Sequence, residues 1–282
     1  MTIQNKPAAN KNLSSIRKTI ANHKRYDFIF ASLGTLVIAS LTITLLILFL
    51  DLVIDGYPRF NLDFFSNFPS RRAARAGILS AWIGSSLVLL VTFIVAVPLG
   101  ITSGVYLEEY AKKNWFSDLI EINVSNLAGV PSIIYGLLAL GLFVYSFGLG
   151  QSILTAGLTL ALLMLPIVIV STREAIRAIP VHIREAAYAV GATKWQVCHN
   201  HVIPYSYGGI LTGVIIGMAR AIGETAPIIT IGALTFIAFL PPSPIGLEPP
   251  FLNFEWLDSG FTVLPIQMFN WISRPQHAFH IN

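Results

Sequence analysis

Charged positions cluster along this chain and leave long apolar runs between them. No charged residue occurs from Phe28 to Leu50, from Ala76 to Leu107, or from Ile122 to Thr172. A helix crosses the hydrocarbon core with roughly 20 apolar residues, and the third run is long enough for two crossings. Buried helices of a soluble protein are shorter and keep a polar face. The pattern therefore predicts an all-α, polytopic membrane helical bundle. Spans are expected at 28–50 (the first helix extending to about residue 54), 77–106, 126–147 and 152–172, with Gly148–Ser152 as the turn between the last two. A fifth apolar stretch follows Pro204 and runs to about Leu240. It is too long for one straight crossing, so it must tilt, project beyond the bilayer or break. Gly223 and Pro227 are the breaking points, because proline lacks the N–H that a helix interior uses.

Composition and charge sharpen this picture. Charged residues make up 11% of the 282-residue chain, against about 25% in soluble domains. The segment 1–27 is a basic tail with Lys6, Lys11, Arg17, Lys18, Lys24 and Arg25. The first apolar run begins too far in, and is too long, for a cleavable signal peptide. Basic residues are retained in the cytoplasm, which predicts a cytoplasmic N-terminus. Lys112, Lys113, Arg173, Arg177, Arg184 and Lys194 then also lie inside, and an external loop occupies 55–75. Arg59, Arg71, Arg72, Arg75 and Arg274 run against the bias. The Arg71-Arg72-Arg75 group reads either as a snorkelling loop end or as a basic rim for anions or an acidic partner face. The single cysteine, Cys198, excludes an internal disulfide. His199 and His201 are two residues apart and do not share a helix face, so they are not read as metal ligands. No P-loop, zinc spacing or G-x-S-x-G occurs, and the basic balance gives no reason to expect nucleic acid.

Two stretches carry candidate chemistry. The loop 173–204 contains Pro180, then Glu185-Ala186-Ala187, then Gly191, and ends at Pro204. This is a short helix, a glycine-permitted turn and a second short helix before a span. It reads either as a plain surface helix pair or as a bare alanine face with a carboxylate, made to enter a partner's groove. The second stretch holds Arg220, about 15 residues or roughly 22 Å beyond Pro204 at 1.5 Å per residue. An arginine at that depth needs a partner or a wet cavity. Glu224, four residues on, shares its helix face. The pair is either structural or functional. In the functional reading, Arg220 presents its planar fork to an oxyanion. Glu224 then balances the charge and accepts a hydrogen bond from a protonated phosphate oxygen, which sulfate lacks near neutral pH. Thr225 adds a hydroxyl, and Gly217, Ala219, Ala221 and Gly223 let neighbours approach closely.

The loop resembles the EAA loop of ABC importer permeases, with Glu185, Ala186, Ala187, Gly191, Ile203 and Pro204 matching; His201 stands where the pattern has an aliphatic residue. The words RAIGETAP (Arg220–Pro227) and GVPSIIYG (Gly129–Gly136), with Phe64–Ser70 and Thr262–Gln267, resemble the phosphate permease family of these importers. The GETAP ending and FTVLPIQMFNW favour its PstA-type branch over the PstC-type sister. The resemblance implies the type I ABC importer permease fold, with a core at 76–282. It implies a multi-pass protein of the bacterial plasma (inner) membrane that is not itself an enzyme. The implied partners are a sister permease, two ATPase subunits, a periplasmic phosphate-binding protein, inorganic phosphate and membrane lipid. No cofactor belongs to this chain; ATP and magnesium belong to the ATPase, whose cleft receives the loop.

Three other readings remain at this stage. One is the sister permease, or a permease for sulfate or molybdate, which Arg220 alone does not separate. Another is a secondary transporter, which is expected to show internal repeats and has no use for an EAA-type loop. The third, an intramembrane enzyme, lacks any Ser/His, Asp/Asp or metal-ligand constellation in the spans. Family members continue past Arg274-Pro275-Gln276 into a final span and a basic tail, whereas this sequence stops at His280-Ile281-Asn282. Five spans are therefore expected, with the final family helix missing and the C-terminus outside.

Overall fold

The structure, a computed structural model, describes residues 6–112, 114–234, 236–246, 251–276 and Phe279, with the backbone alone for 6–22. Lys113, Pro249, Pro250 and His280–Asn282 lie outside the described residues, as do the side chains of Lys6, Lys11, Arg17 and Lys18. Two compact units are present, one to Phe60 and one from Asn61 onward.

The first unit is essentially one helix, α1 (Lys6–Gly56). The sequence placed a tail up to residue 27, but the backbone is helical through those basic residues as well. Its membrane-length portion is His23–Arg59. The apolar side chains from Phe28 to Ile54 are exposed. The hydroxyls of Thr35, Thr42 and Thr44 each donate to the carbonyl four residues back at 2.8–2.9 Å. Such back-bonding satisfies a polar side chain where no water competes.

Among the described residues the second unit holds ten further α-helices: α2 (Leu62–Ser66), α3 (Leu79–Val105), α4 (Trp115–Leu127), α5 (Ser132–Ala139), α6 (Ile153–Arg177), α7 (Val181–Ala189), α8 (Lys194–Val197), α9 (Ile203–Gly223), α10 (Ala226–Ile231) and α11 (Leu264–Ile272). Its core is a row of three long helices with α6 in the middle. Along α3 and α6, Gly100 lies against Val168 and Gly104 against Thr172, so the two run in the same direction. Along α9, Gly209 faces Ala175, Gly213 faces Ser171 and Gly217 faces Met164, so α9 runs the opposite way. Glycine every fourth residue gives α9 a bare stripe, the small-xxx-small pattern by which membrane helices close up. Buried Ala96, Ala161, Met164, Val168 and Val214 fill the seam.

Two expected spans are reshaped. The span read as 126–147 is broken: α4 ends at Leu127, α5 begins at Ser132, and the two are bent by 106°. Pro131 explains the break, since it lacks an N–H and biases Val130 away from helix. After α5 the chain continues in a wide helical turn over Leu140–Ser146. The stretch read as running from Pro204 to about Leu240 is helical only to Ile231. It breaks between the two expected positions, at Glu224 (φ −76°, ψ 123°) and Thr225. It ends at Gly232, whose φ of +98° suits glycine. The described residues just beyond it, to Leu240, are not helical, and two bonds anchor them: Leu234 N–H donates to Phe261 O at 3.0 Å, and Ser80 Oγ donates to the carbonyl of buried Ile237 at 3.0 Å. With α4 and α5 counted as one broken span, the described residues hold five membrane-length segments.

Candidate functional site: a displayed loop and a broken helix

Pro180 opens α7 in an extended conformation (ψ 135°), and Gly191 closes it with φ +85°. Thr193 and Gln196 then cap α8 reciprocally, Gln196 N–H donating to Thr193 Oγ1 and Thr193 N–H to Gln196 Oε1 at 2.8 Å. This caps the start of the helix without help from elsewhere. Glu185 and Ala186 point outward, whereas Ala187 is buried in a cluster with Ile176, Ile179, Val197 and Val202. The alanine pair is thus split: Ala187 seats the helix and Ala186 is presented beside Glu185. Val181, Tyr188, Val190 and Trp195 are also exposed. His199 stacks on Trp195 with ring centroids 5.6 Å apart.

Ionic contacts that the sequence reading did not foresee surround this loop. Arg173 and Arg177, on the last turns of α6, both meet Glu108 at the end of α3 and Glu121 on α4. The shortest of these contacts is Arg173 Nη2 to Glu121 Oε2 at 2.7 Å. Arg184 of α7 meets Glu109 at 2.8 Å. A signal was available: Leu107-Glu108-Glu109-Tyr110 ends one charge-free run and opposes in sign the arginines that end another.

At the α9–α10 break, Arg220 Nε lies 3.5 Å from Glu224 Oε1, a single loose contact. The sequence suggested a buried pair. Within this chain the Arg220 side chain is 42% exposed and Glu224 17%. The helix turns Gly217 and Ala221 inward while Ala219, Arg220 and Gly223 line an open face. Glu224 also borders a cavity of about 20 Å³ with Ser85, Leu89, Ala221, Val263 and Pro265, room for one water. The Thr225 hydroxyl turns to the Gly223 carbonyl at 3.5 Å. Arg220, Glu224 and Thr225 are therefore together, on a turn where the helix has opened. They are remote in sequence from Glu185, Ala186, Ala187 and Gly191, which form the separate displayed loop. Arg71, Arg72 and Arg75 are exposed around a single tight turn at Ala73–Arg75, with Arg72 N–H donating to Ser70 Oγ.

Residues 96–247, which contain both the displayed loop and the broken helix, match the binding-protein-dependent transport system inner membrane component family. The chain belongs to this family. It is 36% identical over 202 residues to the phosphate transport system permease protein PstA of Mycobacterium leprae, a stretch that is 72% of this chain and 62% of that relative. It is 33% identical over 236 residues to the probable ABC transporter permease protein YqgI of Bacillus subtilis, covering 83% of this chain and 76% of the relative. It is 36% identical over 182 residues to PstA of Yersinia pestis, covering 63% and 60% respectively. The chain thus spans about three fifths of the length of the PstA relatives it matches. As a member of the inner membrane component family, it is a multi-pass membrane protein with an all-helical fold.

Proposed function

We propose that this chain is a permease subunit of an ATP-driven phosphate importer in the bacterial plasma membrane, with its N-terminus in the cytoplasm. The observation that carries the reading is the opened helix at Glu224-Thr225. It leaves the Arg220 guanidinium on an uncovered face with the largely covered Glu224 carboxylate 3.5 Å from it, inside a chain whose relatives are named phosphate transport system permeases. A guanidinium fork fits two phosphate oxygens, and a carboxylate beside it accepts a hydrogen bond from the protonated oxygen of phosphate. Arg220, Glu224 and Thr225 would form half of the translocation path, and a sister permease would cover the open face with the other half.

In this reading Glu185, Ala186 and the turn at Gly191 engage a separate ATPase subunit, two copies of which supply ATP hydrolysis with magnesium. A phosphate-binding protein outside the membrane delivers the substrate. This chain contributes the passage and the coupling surface, and no catalytic residue.

The test is reconstitution with the sister permease, ATPase and binding protein in lipid vesicles, followed by ATP-dependent uptake of labelled phosphate and sulfate. Phosphate uptake without sulfate uptake, abolished by Arg220→Ala in a complex that still assembles, is the expected result. Equal uptake of sulfate would assign the chain to another oxyanion. Unchanged uptake in the variant would remove Arg220 from the path.

A further inference from the structure

The side chain immediately before Glu185 points the other way. Arg184 is mostly buried, and its guanidinium makes four hydrogen bonds. Nε and Nη2 donate to Glu109 Oε1 at 3.0 and 2.8 Å; Nη2 also donates to the Ile176 carbonyl at 3.0 Å, and Nη1 to the Ile179 carbonyl at 3.1 Å. Glu109 lies in the wide turn Tyr106–Tyr110 that ends α3, and its side chain is only 10% exposed. Ile176 lies in the last turn of α6 and Ile179 in the short link that follows it, at a helix C-terminus, where a cation is favoured. One side chain of α7 therefore grips the ends of both long helices at once.

We infer that Arg184 is a positioning residue that makes α7 and the ends of α3 and α6 move as one piece. The inference rests on the transport reading above, because it concerns how that reading's coupling loop passes on its displacement. Covalently, α7 is joined to α6 only through Ala178–Pro180 and to α8 through the glycine turn at Gly191. With Arg184 in place a push on α7 reaches α3 directly through Glu109, rather than bending the Pro180 joint. Beside it, Glu108 ties the same turn of α3 to Arg173 and Arg177, and Glu121 ties those two arginines to α4. A planar fork with five N–H groups suits this junction, and the point charge of lysine does not.

The test uses the assembled complex in vesicles and reads phosphate taken up per ATP hydrolysed, with copurified ATPase as the measure of assembly. Arg184→Ala is expected to lower that ratio at least tenfold while ATP hydrolysis continues and the ATPase remains bound. Arg184→Lys, which keeps the charge but loses the fork, falls between. Glu109→Gln lowers the ratio too, and combining it with Arg184→Ala adds little, because both remove one junction. A wild-type ratio in whatever Arg184→Ala complex forms overturns the inference, even if less complex forms. Should that variant fail to assemble, a wild-type ratio in both Arg184→Lys and Glu109→Gln overturns it equally. Failure of the wild-type complex to take up phosphate would instead count against the transport reading, and leaves the ratio measurable with the oxyanion that is carried.

Discussion

The hydroxyl of Tyr135 donates to the carbonyl of Leu127 at 2.7 Å, tying the first turns of α5 to the last turn of α4 across the 106° bend. That carbonyl also accepts the Val130 N–H at 3.1 Å, next to the Gly129 N–H bond to the Asn126 carbonyl at 3.0 Å, so it receives one backbone and one side-chain bond. Tyr135→Phe removes the second. The expected cost is about 1 kcal/mol, read as a fall of roughly 2–4 °C in the melting midpoint of the detergent-solubilised protein. An unchanged midpoint would mean that Pro131 and the backbone bonds hold the angle without the tyrosine.

One residue further on, Gly136 abuts α10. A methyl group there would meet the Thr230 side chain and come within 2.6 Å of the Pro227 Cα. Gly136→Ala must push α10 away from α5, with an overpacking cost of about 1–3 kcal/mol. Since α10 follows Glu224-Thr225 directly, phosphate uptake by the proposed importer should fall along with thermal stability. Gly141→Ala is the matched control: nothing lies within 4 Å of its added methyl, so both measurements should stay near wild type.

Gly191 makes a different demand. Its φ is +85°, yet nothing lies within 4 Å of an added Cβ. Gly191→Ala therefore tests backbone conformation alone, at roughly 1–2 kcal/mol. Gly191→Asn should cost less, because asparagine tolerates the left-handed region. In the proposed importer the readout is binding of the ATPase subunit: alanine is expected to weaken it more than asparagine, and equal effects would mean the turn relaxes without strain.

Glu224→Gln separates charge balance from hydrogen-bond acceptance. In the proposed path the carboxylate accepts from protonated phosphate; glutamine keeps an acceptor oxygen but loses the charge, and a hydrogen bond to a charged group is worth about 1.5–3 kcal/mol. Phosphate uptake should fall at least tenfold in vesicles, while discrimination against sulfate narrows. A drop in uptake with discrimination intact would give Glu224 only the task of neutralising Arg220.

The membrane bundle was legible because charge-free runs such as Phe28–Leu50 have no use in water, and the shape of the displayed loop because proline and glycine punctuate it at Pro180 and Gly191. The break after Gly223 was foreseeable from Pro227 for the same reason. The bend at Pro131 was not foreseen: local apolarity stays high across Leu127–Ile133, and hydrophobic pattern reports burial in lipid without reporting direction. The end of the last long helix at Ile231 was hidden likewise, since Leu234 to Leu240 is as apolar as the helix before it. Arg173, Arg177 and Arg184 were read as markers of sidedness, because their partners Glu108, Glu109 and Glu121 are more than 50 residues away in sequence. The ion pair at Arg220 followed from its spacing, but its exposure depends on which face α9 turns toward α6, and the glycines at 209, 213 and 217 decide that.

The open flank of α9 has a consequence for the life of the protein in a cell. An uncovered guanidinium about 15 residues into a membrane helix is among the costliest groups to leave against lipid tails. A newly made copy without a companion over that flank would be a poor tenant of the bilayer, prone to extraction and degradation. Its steady-state amount would then follow the supply of whatever chain shields Arg220, so that the residue proposed to meet the cargo would also govern how many unmatched subunits persist.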